Sequence, residues 1–360
     1  MDESVAPGGV SVVPAGKPVK LVLWDLDGTL WQGTILEGDT PVLTGGAREL
    51  IEALDARGIL QSIVSRNAPD DAAHWLRELR VAEYFLHPEI GWGAKSDSVA
   101  RITKALNIGL DSALLIDDQP FEREEVMHAH PEVRAIDPGV LCRLREDPQL
   151  CPKFLTEESR QRRSLYRAEQ ARLESEQRYE GSKQEFLRTL ELRLTIAQAA
   201  GGDLQRVEEL VLRTNQLNTT GVTYSTEELE RLRRSPQHRL LVVSLQDKFG
   251  DYGKIGLILL ELAPSLWTLR LLLFSCRVMS RGIGAVVLNY LLSKAREARA
   301  QFHALYRETS RNRPMLITYR FAGFRPTYQQ GDIAIFTHSL ERIPDCPDYI
   351  QLTAHPWIDR

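Results

Sequence analysis

The stretch Val19 to Leu30, VKLVLWDLDGTL, constrains the fold of this 360-residue chain more than any other. An apolar, β-rich run that enters a glycine-containing turn predicts a buried strand of a parallel sheet. Asp25 and Asp27 then lie at the carboxyl end of that strand, where open α/β sheets bind ligands. Because side chains alternate along an extended backbone, carboxylates at i and i+2 can lean toward one site. The stretch predicts an α/β fold with two acids at its functional edge.

Polar residues follow the next predicted elements in the same way. A second buried strand, ILQSIVS, ends in a serine, and the strand SALLIDD ends in two adjacent acids. Between them, GWGAKSDS places a lysine ahead of a helix. Taken singly, such a serine is usually a helix cap and such a lysine is usually solvated. The residues in question are Ser65, Arg66, Asn67, Lys95, Asp117 and Asp118.

The acids after the first strand, the serine, the lysine and the acid pair come in the order of the four motifs of the haloacid dehalogenase-like (HAD) phosphatases, which they resemble. The resemblance implies that Asp25 is a phosphate-accepting nucleophile and Asp27 a general acid/base. It implies that the phosphoryl group is bound by Ser65, Arg66, Asn67 and Lys95. It also implies a Mg2+ cofactor on hard oxygen ligands, held by Asp25, Asp27, Asp117 and Asp118.

Spacing between the motifs predicts an open site. Many HAD phosphatases insert a cap domain between the first and second or the second and third motifs, but each interval here holds one short crossover. We therefore expect a HAD-like Rossmannoid parallel sheet with no large cap. An open site suits a large phosphorylated substrate, or a second domain that supplies the missing lid.

Composition narrows the class of protein. A formal net charge of -4 gives no reason to expect nucleic acid. No uninterrupted apolar run reaches the roughly 18 residues of a membrane span, so no membrane partner is expected. Four cysteines without metal-ligand spacing favour free thiols in a cytoplasmic protein. They are Cys142, Cys151, Cys276 and Cys346.

Length favours two domains. A Gly/Pro/Val/Ser-rich start predicts a disordered leader, and a run of interleaved arginine and glutamate predicts solvated helices that connect the domains. The expected division is a leader at 1–18, a HAD-like phosphatase domain at 19–150, a helical connector at 151–190, a second α/β domain at 191–345 and a C-terminal tail at 346–360.

The second domain is predicted to be α/β as well. Three strands form a meander, and the third leads through SCRVMSRGIG into a helix. This order is similar to the acetyltransferase (GNAT) fold, whose loop amides cradle a pyrophosphate. One departure is Met279, where that loop usually carries Gln or Arg. Another is Cys276, because Arg277 and Arg281 provide positive surroundings that favour a thiolate. Most lone cysteines at strand ends are nevertheless buried and inert.

Together the motifs resemble the FkbH-like family of bifunctional glyceryl transferase/phosphatases, over about residues 19 to 340. The segments that carry the resemblance are DLDGTLWQG, IVSRN, LLIDDQPFERE, LRTNQLN, FGDYG, SCRVMSRG and YRFAGF. It implies that 1,3-bisphosphoglycerate acylates Cys276, that the HAD site removes the phosphate, and that D-glyceryl passes to the phosphopantetheine thiol of an acyl carrier protein for polyketide-type biosynthesis. Residues that could support the acyl site are Asn215, Asn218, Asp251, Arg277, Arg281 and Gly282.

Several alternatives stay open at this point. Asn215, Asn218 and Asp251 could equally be turn formers or helix caps. Gly284 stands where the family usually carries an acid, which leaves the thiol-handling machinery undefined. The chain could be a HAD phosphatase whose C-terminal half only docks a partner, or a CoA-dependent acyltransferase with a decayed HAD domain. The intact motif set argues against the last, and Cys276 argues against the first.

Overall fold

The computed structural model describes residues 11–152, 154–214 and 217–356, leaving the side chains of Arg213, Cys276, Met279 and Ser280 outside the description. The chain divides between Arg167 and Ala168 into two compact units. Both are α/β, so the predicted fold class is confirmed. No helix in the described part of the chain is both long and apolar enough to cross a membrane.

The first unit is built on a parallel sheet whose central strand is the VKLVLW segment. Its strands are β1 (Leu21–Trp24), β4 (Leu60–Ser65), β5 (Glu89–Ile90), β6 (Ala113–Ile116) and β7 (Arg134–Ile136), in the order β5-β4-β1-β6-β7. A two-stranded ribbon comprises β2 (Trp31–Gln32) and β3 (Val42–Leu43). Strand β1 is buried at all four positions because it pairs on both sides and helices cover both faces.

Helices on two faces complete this unit, in α1 (Ala47–Ala56), α2 (Pro69–Glu78), α3 (Lys95–Ala105), α4 (Pro120–Ala129), α5 (Leu141–Leu144) and α6 (Glu157–Arg160). Alternate residues of β1 enter two separate apolar clusters, with Val22 and Trp24 in one and Leu21 and Leu23 in the other. The β2–β3 ribbon, α1 and one short 3-10 helix lie between β1 and β4, and α2 and a second short 3-10 helix lie between β4 and β5. The described residues of this unit therefore carry no large cap.

Residues 11–18, the described part of the expected leader, contact the rest of the first unit. Val13 is only 2% exposed. The Asp147 carboxylate accepts hydrogen bonds from the backbone amides of Val12 and Val13 and from the Ser11 hydroxyl. These bonds and the burial of Val13 fix the segment against the sheet. Residues 1–10 lie outside the described residues.

The second unit contains a larger, mixed sheet. Its strands are β8 (Leu192–Gln198), β9 (His238–Asp247), β10 (Gly250–Leu262), β11 (Leu266–Phe274), β12 (Gln301–Arg307), β13 (Arg325–Gln330), β14 (Ile333–His338) and β15 (Ile350–Ala354). They are ordered β13-β14-β12-β11-β10-β9-β8-β15. The pairs β11–β12 and β8–β15 are parallel, and the other neighbours are antiparallel.

Helices also cover both faces of this sheet, in α8 (Lys183–Thr189), α9 (Leu204–Arg213), α10 (Thr226–Arg234), α11 (Ile283–Glu297) and α12 (Arg313–Phe321). The period-two alternation along β9 sends Leu240 and Val242 to the cluster that contains α9 and α10. It sends Leu241 and Val243 to the cluster that contains α11 and α12.

Two expected boundaries differ from the structure. Ile350–Ala354 lies within the C-terminal tail that the sequence predicts, yet it forms β15, which pairs with β8 over five residues. The expected connector 151–190 is not a separate segment, because the two units divide within α7 (Arg162–Arg178). Arg163 binds Asp55 through two hydrogen bonds in the first unit, whereas Phe186 and Leu187 are buried in the core of the second.

Candidate active site

Strand register brings the first HAD-like motif, with Asp25, beside the fourth, with Asp117. Trp24 of β1 pairs with Ile63 of β4 and with Ile116 of β6. The next residues along β1 and β6 are therefore Asp25 and Asp117, side by side at the carboxyl end of the sheet. The Asp25 amide donates to the Ile116 carbonyl at 3.0 Å, which fixes the backbone at this point.

Three carboxylates form a cluster that fits a divalent cation. Asp25, Asp117 and Asp118 each offer an oxygen within 4.8 Å of the others. The Thr29 hydroxyl accepts a 3.0 Å hydrogen bond from the Asp118 amide and so holds the second acid in place. Gly28 has φ +70°, and a Cβ there would lie 2.7 Å from Asp118 Oδ2. Hard carboxylate oxygens are the donors that Mg2+ prefers, so the predicted magnesium ligands Asp25, Asp117 and Asp118 fit that ion.

Lys95 lies within this group of acids, at the start of α3. Its ammonium lies 2.8 Å from Asp25 Oδ1 and 2.6 Å from Asp117 Oδ2, and its side chain is 3% exposed. Burial works to lower the pKa of Lys95, but the charges of Asp25 and Asp117 outweigh it and raise the pKa. Lys95 is therefore a cation beside the expected nucleophile.

The expected nucleophile has a perturbed pKa. Burial raises the pKa of Asp25 from 3.8 to about 6, Asp117 adds to that effect, and Lys95 opposes it. A hydrogen bond from the Ser65 side chain, at the end of β4, also favours the ionised carboxylate. The structure thus brings Ser65 of the second motif into contact with Asp25 of the first.

Asp27 is held apart from the three-carboxylate cluster. Its Oδ1 accepts a 2.7 Å hydrogen bond from Trp31 Nε1, and its Oδ2 accepts a 2.9 Å bond from Asn67 Nδ2. Among the described residues the three-carboxylate cluster does not include Asp27, and a place for Asp27 among the metal ligands stays a prediction. Asn67 is completely buried, and a direct phosphate contact for it stays a prediction.

One acid of this site, Glu122, was not foreseen from the sequence. It stands in the first turn of α4, and its carboxylate contacts the Lys95 ammonium. Its other oxygen lies 3.2 Å from the Arg66 guanidinium, which is partly exposed at the edge of the site. Only the position of Glu122 four residues after the acid pair pointed to it, and helix geometry was needed to turn it inward.

The second unit places Cys276 at the first residue of a short 3-10 helix, Cys276–Arg281, with Ser275 between it and the end of β11. Its thiol lies outside the described side chains. Gly282 ends the turn with φ +73° and begins α11. Arg281 is 3% exposed and binds Glu169 through two bonds of 3.0 and 3.1 Å. Arg277 donates to the Tyr252 carbonyl at 3.1 Å.

A buried ionic group beside this turn was missed in the sequence. The Arg172 guanidinium donates to both oxygens of Asp247, at 2.7 and 2.9 Å, and the Tyr252 hydroxyl donates to Asp247 Oδ2 at 2.9 Å. The guanidinium carbon of Arg172 also lies 3.8 Å from the centre of the Tyr252 ring. Burial, the largest effect, raises the pKa of Tyr252, which stays neutral. These contacts connect α7 to the β9–β10 hairpin that Arg277 contacts.

The other residues expected to support the acyl site form hydrogen bonds with their own loops. Asp251 is exposed, and its Oδ1 accepts from the Gly253 amide at 2.7 Å, which is the turn-forming alternative. Asn218 is buried, and its Oδ1 accepts from the amides of Thr220 and Gly221. Asn215 lies outside the described residues.

Residues 217–219 occupy the space where β11 and β12 diverge. These strands pair only from Leu266 to Leu269 on β11. Farther along, the Thr219 amide donates to the Leu272 carbonyl at 3.0 Å, and the Arg307 amide of β12 donates to the Thr219 carbonyl at 3.0 Å. Thr219 therefore pairs with the backbone of both strands, at Leu272 and at Arg307.

Comparison with known proteins finds similar solved structures, each over part of the chain. No family model matches the chain, and no curated protein sequence matches it. Among solved structures, the N-terminal part of a Bacteroides fragilis protein, containing a phosphatase domain complexed with Mg, is 26% identical over 38% of this chain and 42% of that chain, with a TM-score of 0.34.

Two further solved structures are similar to parts of the chain. A HAD-superfamily hydrolase of Ehrlichia chaffeensis is 15% identical over 36% of this chain and 99% of its own, with a TM-score of 0.29. The ribosomal-protein alanine N-acetyltransferase of Escherichia coli is 15% identical over 40% of this chain and 92% of its own, with a TM-score of 0.31. The structural neighbours thus include both HAD-like and GNAT-like proteins.

Proposed function

We propose that this chain is a bifunctional enzyme that hydrolyses a phosphate ester in its first unit and transfers a glyceryl group in its second. The observation that carries the proposal is the convergence of Asp25, Asp117 and Asp118 around the buried Lys95. A cluster of acids is common on protein surfaces, but a buried lysine aimed at two of them at the exit of parallel strands is typical of a phosphoryl-transfer site.

The phosphatase reaction follows from the places of the two acids of the first motif. An oxygen of Asp25 attacks phosphorus, and the bond from phosphorus to the leaving oxygen breaks while Asp27 gives that oxygen a proton. Water then attacks the phosphorus of the aspartyl phosphate and gives a proton to Asp27. Phosphate leaves and Asp25 is restored.

Mg2+ is the cofactor in this proposal. Asp25, Asp117 and Asp118 would hold it, and when bound it shields the charge of the phosphoryl group from the anionic nucleophile. Lys95 holds the Asp25 oxygen in place at 2.8 Å. The Ser65 hydroxyl has a single O–H, which it donates to Asp25 here and would turn to a phosphoryl oxygen once substrate is bound.

The second activity concerns Cys276. Its thiolate attacks the acyl carbonyl of 1,3-bisphosphoglycerate, the bond to the acyl phosphate breaks, and a thioester remains on the enzyme. The first unit removes the remaining phosphate ester, and the phosphopantetheine thiol of an acyl carrier protein displaces Cys276 from the glyceryl group. Support comes from the place of Cys276 after β11 and from the cationic Arg277 and Arg281 on the same turn.

Residues 217–219 fill the gap between β11 and β12, which limits where the pantetheine chain of CoA could bind in the alternative CoA-dependent activity. Thr219 uses the backbone groups of both strands, so a pantetheine chain cannot add to these edges without displacing residues 217–219. The same restriction holds for the phosphopantetheine of a carrier protein, which must therefore reach Cys276 by a route outside this gap.

Intact-mass spectrometry of the full chain with 1,3-bisphosphoglycerate and Mg2+ tests both activities. Asp25→Asn is expected to retain an acyl adduct that still carries phosphate and that hydroxylamine removes. Cys276→Ala is expected to lose the adduct and all loading of a carrier protein, while it keeps the hydrolysis of a simple phosphate ester. Cys346→Ala is the matched control, because Cys346 is an exposed free thiol of the same unit.

Two results would contradict the proposal in different ways. Wild-type loading of a carrier protein by Cys276→Ala would remove the covalent step. Phosphatase activity without any adduct or transfer in the wild type would favour the alternative, a HAD phosphatase whose second unit only docks a protein partner.

A further inference from the structure

Glu122 bridges two cations of the candidate phosphatase site. Its Oε1 lies 3.2 Å from the Arg66 guanidinium, and its Oε2 contacts the Lys95 ammonium. Arg66 follows Ser65 at the end of β4, and Lys95 starts α3, so the Glu122 carboxylate spans the edge of the site from one motif to the next.

Lys95 has no hydrogen-bond donor to spare in this arrangement. A lysine ammonium carries three N–H donors. Asp25, Asp117 and Glu122 each contact it, which accounts for all three. A phosphoryl oxygen can therefore bind Lys95 only if one carboxylate gives way.

Glu122 is the carboxylate best placed to give way. The Asp117 side chain is 0% exposed and that of Asp25 is 8% exposed, and both stand at the ends of buried strands. Glu122 is 12% exposed and lies in the first turn of a surface helix, next to Phe121, which is 71% exposed. Arg66, its other partner, is 39% exposed and can follow a new anion.

We infer that Glu122 is a built-in competitor for the phosphoryl group, a carboxylate that occupies Lys95 and Arg66 until the phosphate of the substrate displaces it. The inference rests on the proposed phosphatase function. A phosphate dianion carries more charge and more acceptor oxygens than a carboxylate, so it can bind Lys95 and Arg66 at once and displace Glu122. A substrate that offers only a carboxylate competes poorly with Glu122 for these two cations. Glu122 would in this way set the selectivity of the site for phosphate over weaker anions.

Binding of inorganic phosphate to the full chain in the presence of Mg2+, measured by calorimetry, tests the inference without turnover. Glu122→Gln keeps the shape of the side chain and removes its charge. It is expected to bind phosphate about tenfold more tightly than the wild type, the usual size of one nearby charge. Its affinity for acetate should rise by a larger factor, so that the preference for phosphate over acetate falls. Glu122→Asp, too short to reach both cations, is expected to lie between the two.

The matched control is Glu124→Gln, because Glu124 lies on the same helix and is exposed. It should leave phosphate affinity within about twofold, which separates a local contact from a general change in charge. Unchanged or weaker binding in both Glu122 variants, beside a wild type that binds phosphate, would overturn the inference alone. A wild type with no Mg2+-dependent phosphate binding would contradict the proposed phosphatase itself.

Discussion

Lys95 Nζ lies 2.8 Å from Asp25 Oδ1, and the lysine side chain is 3% exposed. A buried ammonium beside a buried carboxylate is a costly arrangement unless each partner keeps the other charged. Here the same ammonium also contacts Asp117 and Glu122. The positive charge of Lys95 therefore stabilises three carboxylates that would otherwise repel one another at this site.

Lys95→Met is expected to destabilise the first unit by about 3 kcal/mol or more at neutral pH, because it leaves these acids without their cation. Mg2+ should restore part of the loss, since a divalent ion at the acids replaces the missing charge. Urea unfolding followed by tryptophan fluorescence, with Mg2+ and with chelator, measures both effects. A variant as stable as the wild type in chelator would contradict this electrostatic account.

A second prediction concerns protons and the metal. Burial raises the pKa of Asp25 from 3.8 to about 6. A ligand carboxylate must lose its proton to bind a metal, so Mg2+ affinity should rise as pH increases through that value and level off above it. At about pH 5 the carboxylate is mostly protonated, and binding is expected to be about tenfold weaker than at about pH 8. Calorimetry at the two pH values tests this, and Asp25→Asn should lose most of the dependence.

Gly28 offers a test of how closely the first motif packs on the fourth. An added Cβ would lie 2.7 Å from Asp118 Oδ2, and φ is +70°. Gly28→Ala should therefore displace Asp118 and weaken Mg2+ binding by about tenfold or more, the usual effect of disturbing the orientation of a ligand. Gly38→Ala is the matched control, because Gly38 has φ +83° with no atom within 4 Å of its Cβ position.

Both alanines should share the cost of a left-handed backbone, about 1 kcal/mol. Only Gly28→Ala should lose metal affinity. Equal loss in both variants would mean that backbone strain and not contact with Asp118 is responsible.

The sequence predicted the first unit better than the second for a physical reason. A parallel strand buried on both faces has a strong apolar signal, and register then forces the residues after Trp24 and Ile116 into contact. Nothing local predicted that residues 350–354 would pair with β8 or that Thr219 would lie between β11 and β12. Such pairings join segments far apart in the chain and leave no periodic pattern.

Contacts between helices and loops were equally hidden. Asp251 is prominent in FGDYG, yet the buried acid of that hairpin is Asp247, because Arg172 from α7 reaches it. Gly284 had suggested a missing acid, and a Cβ there would lie 3.1 Å from Thr318 Cγ2 on α12. Glycine at this position thus suits the close packing of α11 on α12 within the second unit.

The last prediction concerns the two donors that hold Asp27. Trp31→Phe removes the indole N–H donor, whose Nε1 lies 2.7 Å from Asp27 Oδ1, while Asn67 still donates to Oδ2. Asp27 is proposed to protonate the leaving oxygen, so hydrolysis of an alkyl phosphate should slow by about tenfold or more. Release of p-nitrophenol in the first turnover should change little, because that leaving group needs no proton.

Trp24→Phe is the matched control for this test. Both tryptophans are 0% exposed, and Trp24 Nε1 donates to Gln61 Oε1 at 3.1 Å, so each variant loses one buried hydrogen bond and a similar volume. If orientation of Asp27 is the cause, only Trp31→Phe should discriminate between alkyl and aryl substrates. Equal slowing of both substrates in both variants would instead point to loss of packing, and would contradict a role for Trp31 in orienting Asp27.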